Sequence, residues 1–369
     1  MAPYPALRRK LLGYATLGLI LIAGAVVVAS AFEQIPIEGT PLALDWRSLW
    51  QGLKGGRITY AGGSVMIAPW ALPAVWPLGF FSVQASWGLL TLCTAGVLIA
   101  SVPRRVSKPT WWLSIFLLVF SWPALRHAAD GNLEGVVIAG VLLVVYGYRK
   151  QNQLVLAAGL LLVTAKPQES WLLVCGVGLY VLAAWPLRKC LNAGFIVAAV
   201  AVPALLLFGP AWFAAMTGIV PPPRTVIDIS LGAALARLGF AEWVYWAVGL
   251  LILVVSAFVI LKSQRTLSRE KAAFLICASM LLAPYAAGNS FLTVLAIGII
   301  PLFQSRRWLG GLLIILSDAQ LVLPRDFLYW NGAYYWTAML LTVWAICAYL
   351  IYRGERTAAE TGQTVVGTA

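Results

Sequence analysis

The most informative residue for chemistry is Asp45, an acid at the start of a segment with one apolar face. The residues after it read Trp-Arg-Ser-Leu-Trp-Gln-Gly-Leu-Lys and run into Gly55-Gly56. Tryptophan and leucine recur at positions 46, 49, 50 and 53, a helical spacing that predicts a short helix ended by glycine. Asp45, at its first position, either caps the helix by accepting backbone N–H bonds or acts as a general base, and one carboxylate can do both.

A second group of polar residues follows the third apolar run and comprises Arg126, His127, Asp130, Asn132 and Glu134. Arg126 and His127 are suited to an anionic head group such as a phosphate. Asp130-Gly131-Asn132 is also a common turn sequence, so a purely structural role stays open. Glu134 lies one residue inside an apolar run, where an unpaired charge is costly, and we expect it to have a partner.

Two further cations, an amide and one aromatic residue complete the candidate binding set. Lys166 and Gln168 flank a proline that breaks a helix at membrane depth, which is tolerated where protein or water lines the site. Lys166 pairs either with the nearby Glu169 or with a phosphate. Arg224 follows three prolines that predict a stiff segment suited to a lid, and it either binds an anion or faces solvent. Tyr285 suits a sugar ring, although aromatic residues equally form the interfacial belt.

Membrane-spanning helices must position these residues. Apolar residues make up 61% of the 369 and charged residues only 11%, well below the charged fraction of a soluble domain. The apolar runs predict an all-α, polytopic transmembrane protein with about twelve spans, and the Asp45 helix is expected to lie in the membrane interface, anchored by its tryptophans. The predicted spans are 11–32, 76–101, 110–125, 133–148, 152–165, 169–186, 191–213, 242–262, 271–287, 289–304, 308–323 and 333–352.

Basic and acidic residues lie in different connections between these apolar runs. Most of the 26 Lys and Arg residues lie in alternate short connections, which the positive-inside rule places in the cytoplasm together with both termini. A net charge of +13 also suits a nucleic-acid partner, but the basic residues form short clusters between apolar runs, so we expect a lipid bilayer and no nucleic acid. The acids lie mostly in outward connections, two of which, 33–75 and 214–241, are long. We therefore expect the chemistry on the outer face of a bacterial plasma membrane.

The domain organisation is simple. Residues 1–353 are expected to form one transmembrane domain, and 354–369 a polar, disordered cytoplasmic tail. The first run is either a retained helix, which its length favours, or a cleaved signal peptide. The five cysteines form no CxxC pair and His127 is the only histidine, so no metal site is predicted.

The order of these motifs resembles a known class of enzymes. The resemblance rests on Asp45 with its glycine-ended helix, Tyr60, an Ala-Pro-Trp-Ala-Leu-Pro entry to the second span at 68–73, Gly131-Asn132, and Lys166-Pro167-Gln168. The pattern is similar to that of GT-C polyprenyl-phosphate-sugar glycosyltransferases. Within that class it resembles the glycosyltransferase 87 family, and bacterial polyprenol-phosphate-mannose-dependent mannosyltransferases in particular.

The resemblance implies an inverting transfer of a hexose, with mannose favoured, on the outer face. The donor would be a polyprenyl-phosphate-linked sugar and the acceptor lipid- or glycan-linked. By the same resemblance, Asp45 would take the proton from the acceptor hydroxyl, and Arg126, His127, Lys166 or Arg224 would hold the donor phosphate. Trp46 follows Asp45 where many members of the class have a second acid. Paired acids for a metal are therefore not expected, and assistance by a divalent cation stays open.

Two other functions compete with this one. A lipid or solute transporter, or a flippase, would place charges near the bilayer midplane, often in paired repeats. Nearly all charges here lie at the ends of apolar runs, and Asp318 is the main exception. A non-catalytic assembly subunit is the other alternative, and no residue pattern favours it.

Overall fold

The computed structural model describes the backbone of residues 4–55, 67–104, 106–218, 228–323 and 325–361. Within these ranges, the side chains at 4–12, 215–218, 325–331, 333 and 355–361 are outside the description. Two predicted features, Tyr60 and Arg224 with its three preceding prolines, also lie outside the described residues, as does the end of the polar tail from 362 onward.

The regular elements of the described backbone are helical, which confirms the predicted all-α class. The β contact found there is a single antiparallel bridge between Asp228 and Ala287. A π-helical turn joins α14 to α15, so that Gly288–Ser305 runs as one continuous helix. In these ranges the α-helices are α1 (Tyr4–Glu33), α2 (Leu44–Lys54), α3 (Leu72–Val75), α4 (Val83–Ser101), α5 (Lys108–Val119), α6 (Trp122–Asp130), α7 (Glu134–Arg149), α8 (Gln153–Val163), α9 (Pro167–Ala184), α10 (Leu187–Gly218), α11 (Leu231–Arg237), α12 (Glu242–Lys262), α13 (Arg269–Leu282), α14 (Phe291–Val294), α15 (Ile300–Ser305), α16 (Arg307–Asp318) and α17 (Arg325–Thr361).

Small polar residues and prolines determine where several helices begin. A capping side chain accepts a hydrogen bond from the backbone N–H three residues later at the starts of α4, α6, α8, α11 and α13, and the caps are Ser82, Ser121, Asn152, Ser230 and Ser268. Proline occupies the first turn of α5, α6 and α9, where its missing N–H costs no helical bond. The cap and proline of α6 also divide one predicted span, 110–125, because α5 and α6 meet at a bend of 45°.

The centre of the molecule is formed by α13 and the continuous helix Gly288–Ser305. All residues from Lys271 to Leu281 are buried, and so are those from 291 to 300. Helices α7, α9 and α17 pack around this pair. Peripheral helices α1, α10 and α12 instead expose large apolar side chains, for example Phe195 and Leu206 on α10. Such a broad apolar surface is suited to lipid rather than to water.

Six helices in the described part are at least 18 residues long and apolar enough to cross a bilayer. They are Gly13–Glu33, Val83–Ser101, Leu187–Ala214, Glu242–Lys262, Gly288–Ser305 and Tyr334–Gly354. The bent pair α5–α6 makes seven when it is counted as one span. The protein is therefore a polytopic membrane protein. Other predicted runs give shorter helices, such as α8 with 11 residues.

Helices α7 and α8 form an antiparallel hairpin in which the two backbones come very close. A Cβ atom added at Gly140 would lie 2.3 Å from the backbone nitrogen of Val163, and one at Gly159 would lie 2.6 Å from that of Val144. Small residues allow helices to approach in this way in membranes. The hairpin holds the start of α7 beside the start of α9, where most of the candidate site residues lie.

Helix α2 is the short helix predicted after Asp45, and it buries the predicted face. Trp46, Leu49 and Leu53 are buried, and Gly55 follows the last helical residue. The interpretation of Asp45 as the N-cap is wrong. Ala43 occupies that position with a left-handed backbone (φ 52°), and no side chain caps the helix. Asp45 is instead the second residue of α2, so its side chain is available for other contacts.

The helices have two chemically different ends. We call the end formed by α2 and the starts of α7 and α9 the Asp45 end. The opposite end, formed by the ends of α7 and α9 and the start of α13, is the Arg269 end.

Candidate functional site

The Asp45 carboxylate is held across the chain by an amide. Its Oδ2 accepts a hydrogen bond of 2.8 Å from Nδ2 of Asn132, which is 87 residues away in sequence. One edge of Asp45 is open to solvent, yet the protein around the carboxyl removes enough water to raise its pKa. The positive charge of Lys166 and the Asn132 bond oppose that rise. A carboxylate with a raised pKa at an accessible surface is suited to accept a proton.

Three contacts fix α2 against the rest of the Asp45 end. The backbone N–H of Ala43 donates to the carbonyl of Ala129 at 2.7 Å, and the Trp46 indole donates to Oγ of Ser86 at 2.8 Å. Gly131 lies directly under Trp46 with φ +69°, and a Cβ atom there would come within 2.6 Å of the Trp46 Cβ. Only glycine permits both this backbone conformation and this contact. The turn between α6 and α7 thus forms part of the surface on which α2 rests.

Arg126 and Asp130 form an exposed ion pair on α6. Nε of Arg126 lies 2.7 Å from Oδ2 of Asp130, and the Arg126 side chain is 52% exposed. The same Oδ2 accepts a hydrogen bond of 3.0 Å from Nδ2 of Asn289. Asp130 is therefore held from two sides and orients the guanidinium, which stays accessible for an anion beside Asp45.

His127 is buried and serves as a hydrogen-bond acceptor. Its Nε2 accepts a bond of 3.0 Å from the backbone N–H of Glu134, so that nitrogen carries no proton. The contact joins α6 to the first turn of α7. It satisfies one of the N–H groups that the start of a helix leaves without a helical partner.

The predicted partner of Glu134 is Lys166. The Lys166 ammonium binds Oε1 of Glu134 and lies 3.4 Å from Oε1 of Glu169. Thr293 donates to Oε2 of Glu134 at 2.8 Å, and Ser290 donates to Oε1 of both carboxylates, at 3.2 Å for Glu134. The sequence predicts one partner for Lys166, either Glu169 or a phosphate. In the structure its ammonium instead bridges α7 and α9 by contacting two carboxylates, those of Glu134 and Glu169.

Two oxygen atoms at the start of α9 are buried without a hydrogen-bond partner among the described residues. They are Oε1 of Gln168 and Oε2 of Glu169. A buried acceptor of this kind costs free energy, and it is a natural place for a bound hydroxyl group.

Tyr285 lies between this cluster and a buried acid. Burial raises the pKa of Tyr285 to about 12, and the carboxylates of Asp228 and Asp45 and the ammonium of Lys166 are close enough to influence it. Oδ1 of Asp228 accepts backbone bonds from Ser230 at 3.0 Å and from Ala286 at 3.1 Å. Burial also raises the pKa of Asp228. The phenol therefore stays protonated at neutral pH and can donate a hydrogen bond.

The structure thus brings together most of the residues that the sequence had singled out. Asn132 bonds to Asp45, Arg126 to Asp130, and His127 and Lys166 both contact Glu134. The charges of Lys166, Asp130 and Arg126 all act on the Asp45 carboxyl, and we call this group, with Gln168 and Tyr285, the Asp45 network. Sequence reasoning did not select Glu169, Asn289, Ser290 or Thr293 as site residues. Ser290 and Thr293 carried a signal, since they are hydroxyl residues three apart at the start of an apolar run.

Asp318 is the residue that had favoured a transporter. Its Oδ1 accepts a hydrogen bond of 2.7 Å from the backbone N–H of Trp122, and Gln320 next to it accepts 2.8 Å from the Trp122 indole. The carboxylate thus satisfies the first turn of α6, an ordinary place for an acid.

Comparison with protein-family models matches residues 68–284, more than half of the chain, to Glycosyltransferase family 87. The matched range contains Arg126, Asp130, Glu134 and Lys166 and begins after Asp45. The comparison with curated proteins and the comparison with solved structures give no match.

Proposed function

This chain belongs to glycosyltransferase family 87, and we propose that it transfers a hexose from a polyprenyl-phosphate donor to a lipid- or glycan-linked acceptor. Mannose is the favoured hexose, and the transfer inverts the anomeric carbon. The observation that carries this proposal is the position of Asp45. A solvent-accessible carboxylate with a raised pKa lies within the electrostatic influence of an accessible guanidinium, Arg126, and of the Lys166 ammonium.

In the proposed reaction Asp45 is the general base. Its carboxylate takes the proton from the acceptor hydroxyl as that oxygen attacks the anomeric carbon from the face opposite the phosphate. The bond between the anomeric carbon and the phosphate oxygen breaks, and polyprenyl phosphate leaves with the electron pair. The Asn132 amide keeps the carboxylate turned toward the acceptor through its bond to Oδ2.

The leaving phosphate gains charge, and cations beside Asp45 stabilise it. Arg126 is the proposed direct ligand, because its bond to Asp130 uses Nε and half of its side chain is exposed. A guanidinium also matches phosphate geometry well. Lys166 does not bind the phosphate directly in this proposal, because its ammonium is already in contact with Glu134 and Glu169. His127 accepts from the backbone of Glu134 and positions the turn rather than the phosphate.

The orientation follows from the distribution of charge. The Arg269 end carries clusters of basic residues, and the positive-inside rule assigns it to the cytoplasm. The Asp45 end then faces outward, with α2 in the membrane interface and both termini inside. In this arrangement the shorter apolar helices bring the number of membrane crossings to about twelve. The donor lipid reaches the site from the outer leaflet of a bacterial plasma membrane.

The proposal is tested with purified protein in lipid nanodiscs and a panel of polyprenyl-phosphate sugars. Asp45→Asn should lower kcat by about 10²- to 10⁴-fold, the usual contribution of a general base, and leave donor binding unchanged. Arg126→Ala should instead raise the donor KM by about 10- to 100-fold, since a hydrogen bond to a charged group is lost. NMR of the product should show the anomeric configuration opposite to that of the donor.

Glu38→Gln is the matched control. Glu38 lies in the connection between α1 and α2 and is exposed, so its loss should change neither constant. If Asp45→Asn keeps full turnover with the donor that wild type consumes, the base assignment is wrong. If wild type consumes no donor of the panel, the proposed donor class is wrong.

A further inference from the structure

A separate cavity is lined by Pro284, the residue before Tyr285. Its volume is about 460 Å³, which lies within the range of roughly 300–1,000 Å³ that small-molecule sites occupy. It is formed by α11, the start of α12 and the segment after α13. The residues that give it its chemistry are Asp228, Phe240, Glu242, Tyr245, Trp246 and Pro284.

The lining differs in charge from the Asp45 network. Among the described residues, the cavity lining contains two carboxylates, Asp228 and Glu242, and no lysine or arginine. A phosphate would meet these two carboxylates, with Arg237 the cation that acts on Asp228, so the lining suits a neutral group better than the head group of the donor. Carboxylates do accept hydrogen bonds from neutral hydroxyl groups, which a sugar ring presents on its edges.

The aromatic residues supply the other half of a sugar site. The Trp246 indole is 63% exposed and donates to Oε1 of Glu242 at 3.3 Å, so the ring and the carboxylate are oriented together. Tyr245 packs against Trp246 edge to face with centroids 5.0 Å apart. An aromatic face covers the C–H side of a pyranose while the carboxylate binds its hydroxyls.

The position of the cavity links it to the reaction. Pro284 lines the cavity and the next residue is Tyr285, whose phenol is influenced by Asp45 and Lys166. Asp228 lines the cavity as well, and it holds the Tyr285 segment through Ala286. The segment 283–286 therefore connects the lining of the cavity to Tyr285.

We propose that this cavity binds the neutral sugar ring that carries the acceptor hydroxyl, and that Trp246 and Glu242 select for it. The assignment of this sugar as the acceptor rests on the proposed function, whereas the binding of a neutral sugar in the cavity does not depend on it. Cations near Asp45 then bind the donor phosphate, and the carboxylates and aromatic rings of the cavity bind the uncharged acceptor.

Saturation-transfer NMR tests this without any turnover. The protein in nanodiscs is mixed with methyl α-D-mannopyranoside or methyl β-D-glucopyranoside, and transfer from protein to sugar protons is measured. Wild type should give transfer to at least one of the two glycosides. Trp246→Ala should weaken the affinity about tenfold, the scale of one lost stacking surface, and Glu242→Gln should weaken it as well.

Trp243→Ala is the control, because Trp243 is on the same helix, is 70% exposed and does not line the cavity. It should bind like wild type. Absence of transfer in wild type, or equal transfer in Trp246→Ala, overturns the proposal. Binding that survives in a protein with no transferase activity would overturn the proposed function and not the sugar site.

A second arm identifies the source of the sugar. Monoglucosyl and monomannosyl diacylglycerol are incorporated into the nanodisc, and displacement of the soluble glycoside is followed. Displacement that disappears in Trp246→Ala supports a lipid-borne acceptor in this cavity. Displacement that is unaffected by Trp246→Ala contradicts the assignment, because the glycolipid then competes at another place.

Discussion

Two lysines at opposite ends of the protein direct their ammonium groups inward, and the partners of these two groups differ. Lys166, at the Asp45 end, binds the carboxylates of Glu134 and Glu169 on two helices. Lys271, at the Arg269 end, donates to the main-chain carbonyl of Gln264 at 2.6 Å, and its ammonium lies 5.5 Å from the centre of the Tyr180 ring. One lysine belongs to a network of side-chain charges, and the other holds the backbone.

The neighbours of each lysine repeat this difference. At the Arg269 end, Arg149, Arg265 and Arg269 donate to the carbonyls of Leu267, Ala183 and Ser101, respectively. At the Asp45 end, Arg126 and Asn132 instead donate to the side chains of Asp130 and Asp45, although Arg47 on α2 donates there to the carbonyls of Ile37 and Thr40. A cation bound to a carbonyl fixes the chain. A cation paired with carboxylates joins side chains from different helices, and its own field is largely cancelled by them.

Replacement of Lys166 by methionine should have the largest effect. Two buried carboxylates would then lack their cation, which should lower the free energy of unfolding by about 3–5 kcal/mol and abolish turnover. Thermal unfolding in nanodiscs and the transfer assay measure the two effects. The double variant Lys166→Met with Glu169→Gln should recover part of the stability because it removes one unpaired charge. A single variant as stable as wild type would contradict the described network.

Removal of the Asn132 amide should have an intermediate effect that is visible in the pH profile. The Asn132 bond lowers the pKa of Asp45, so Asn132→Ala raises it further. Asp45 acts as a base only when ionised, so activity falls as the pH drops through this pKa, and the acid limb of kcat/KM should move to higher pH. Asn132→Asp adds a like charge beside Asp45 and should move the limb further in the same direction. An acid limb that stays in place in both variants would show that Asp45 does not control it.

Replacement of Lys271 by methionine should have the smallest effect. It removes a charged hydrogen bond to a main-chain carbonyl and a cation–π contact, about 1–3 kcal/mol of stability. Tm should fall slightly, while kcat and donor KM should match wild type. A large loss of kcat in a folded Lys271→Met protein would show that the two ends are coupled, and the contrast between them would fail.

Local features of this chain could be predicted from sequence because they depend on nearest neighbours. The predicted span 242–262 has the same first and last residues as α12. The apolar face of α2 is the one that the spacing predicted. The bend between α5 and α6 was missed, because the run 110–125 is apolar throughout and only the Ser121 cap and its proline divide it.

The site itself required information that spacing does not contain. Asn132 and Asp45 are 87 residues apart, and Lys166 and Glu134 are 32 apart. Periodicity places each residue on a helix face and at a helix end, so it identified the right end of the molecule for most of them. It does not say which helices are neighbours, and the pairing of Glu134, Lys166, Ser290 and Thr293 depends on that.

Gly131 has a consequence for how this sequence can vary. Its φ of +69° and the 2.6 Å that would separate an added Cβ from Trp46 leave no room for another residue under α2. A substitution here touches neither donor nor acceptor, yet it must displace Trp46 and with it the Asp45 side chain one residue before. Descendants of this chain that keep the chemistry should therefore keep glycine at this position, while chains that have lost it should be free to change.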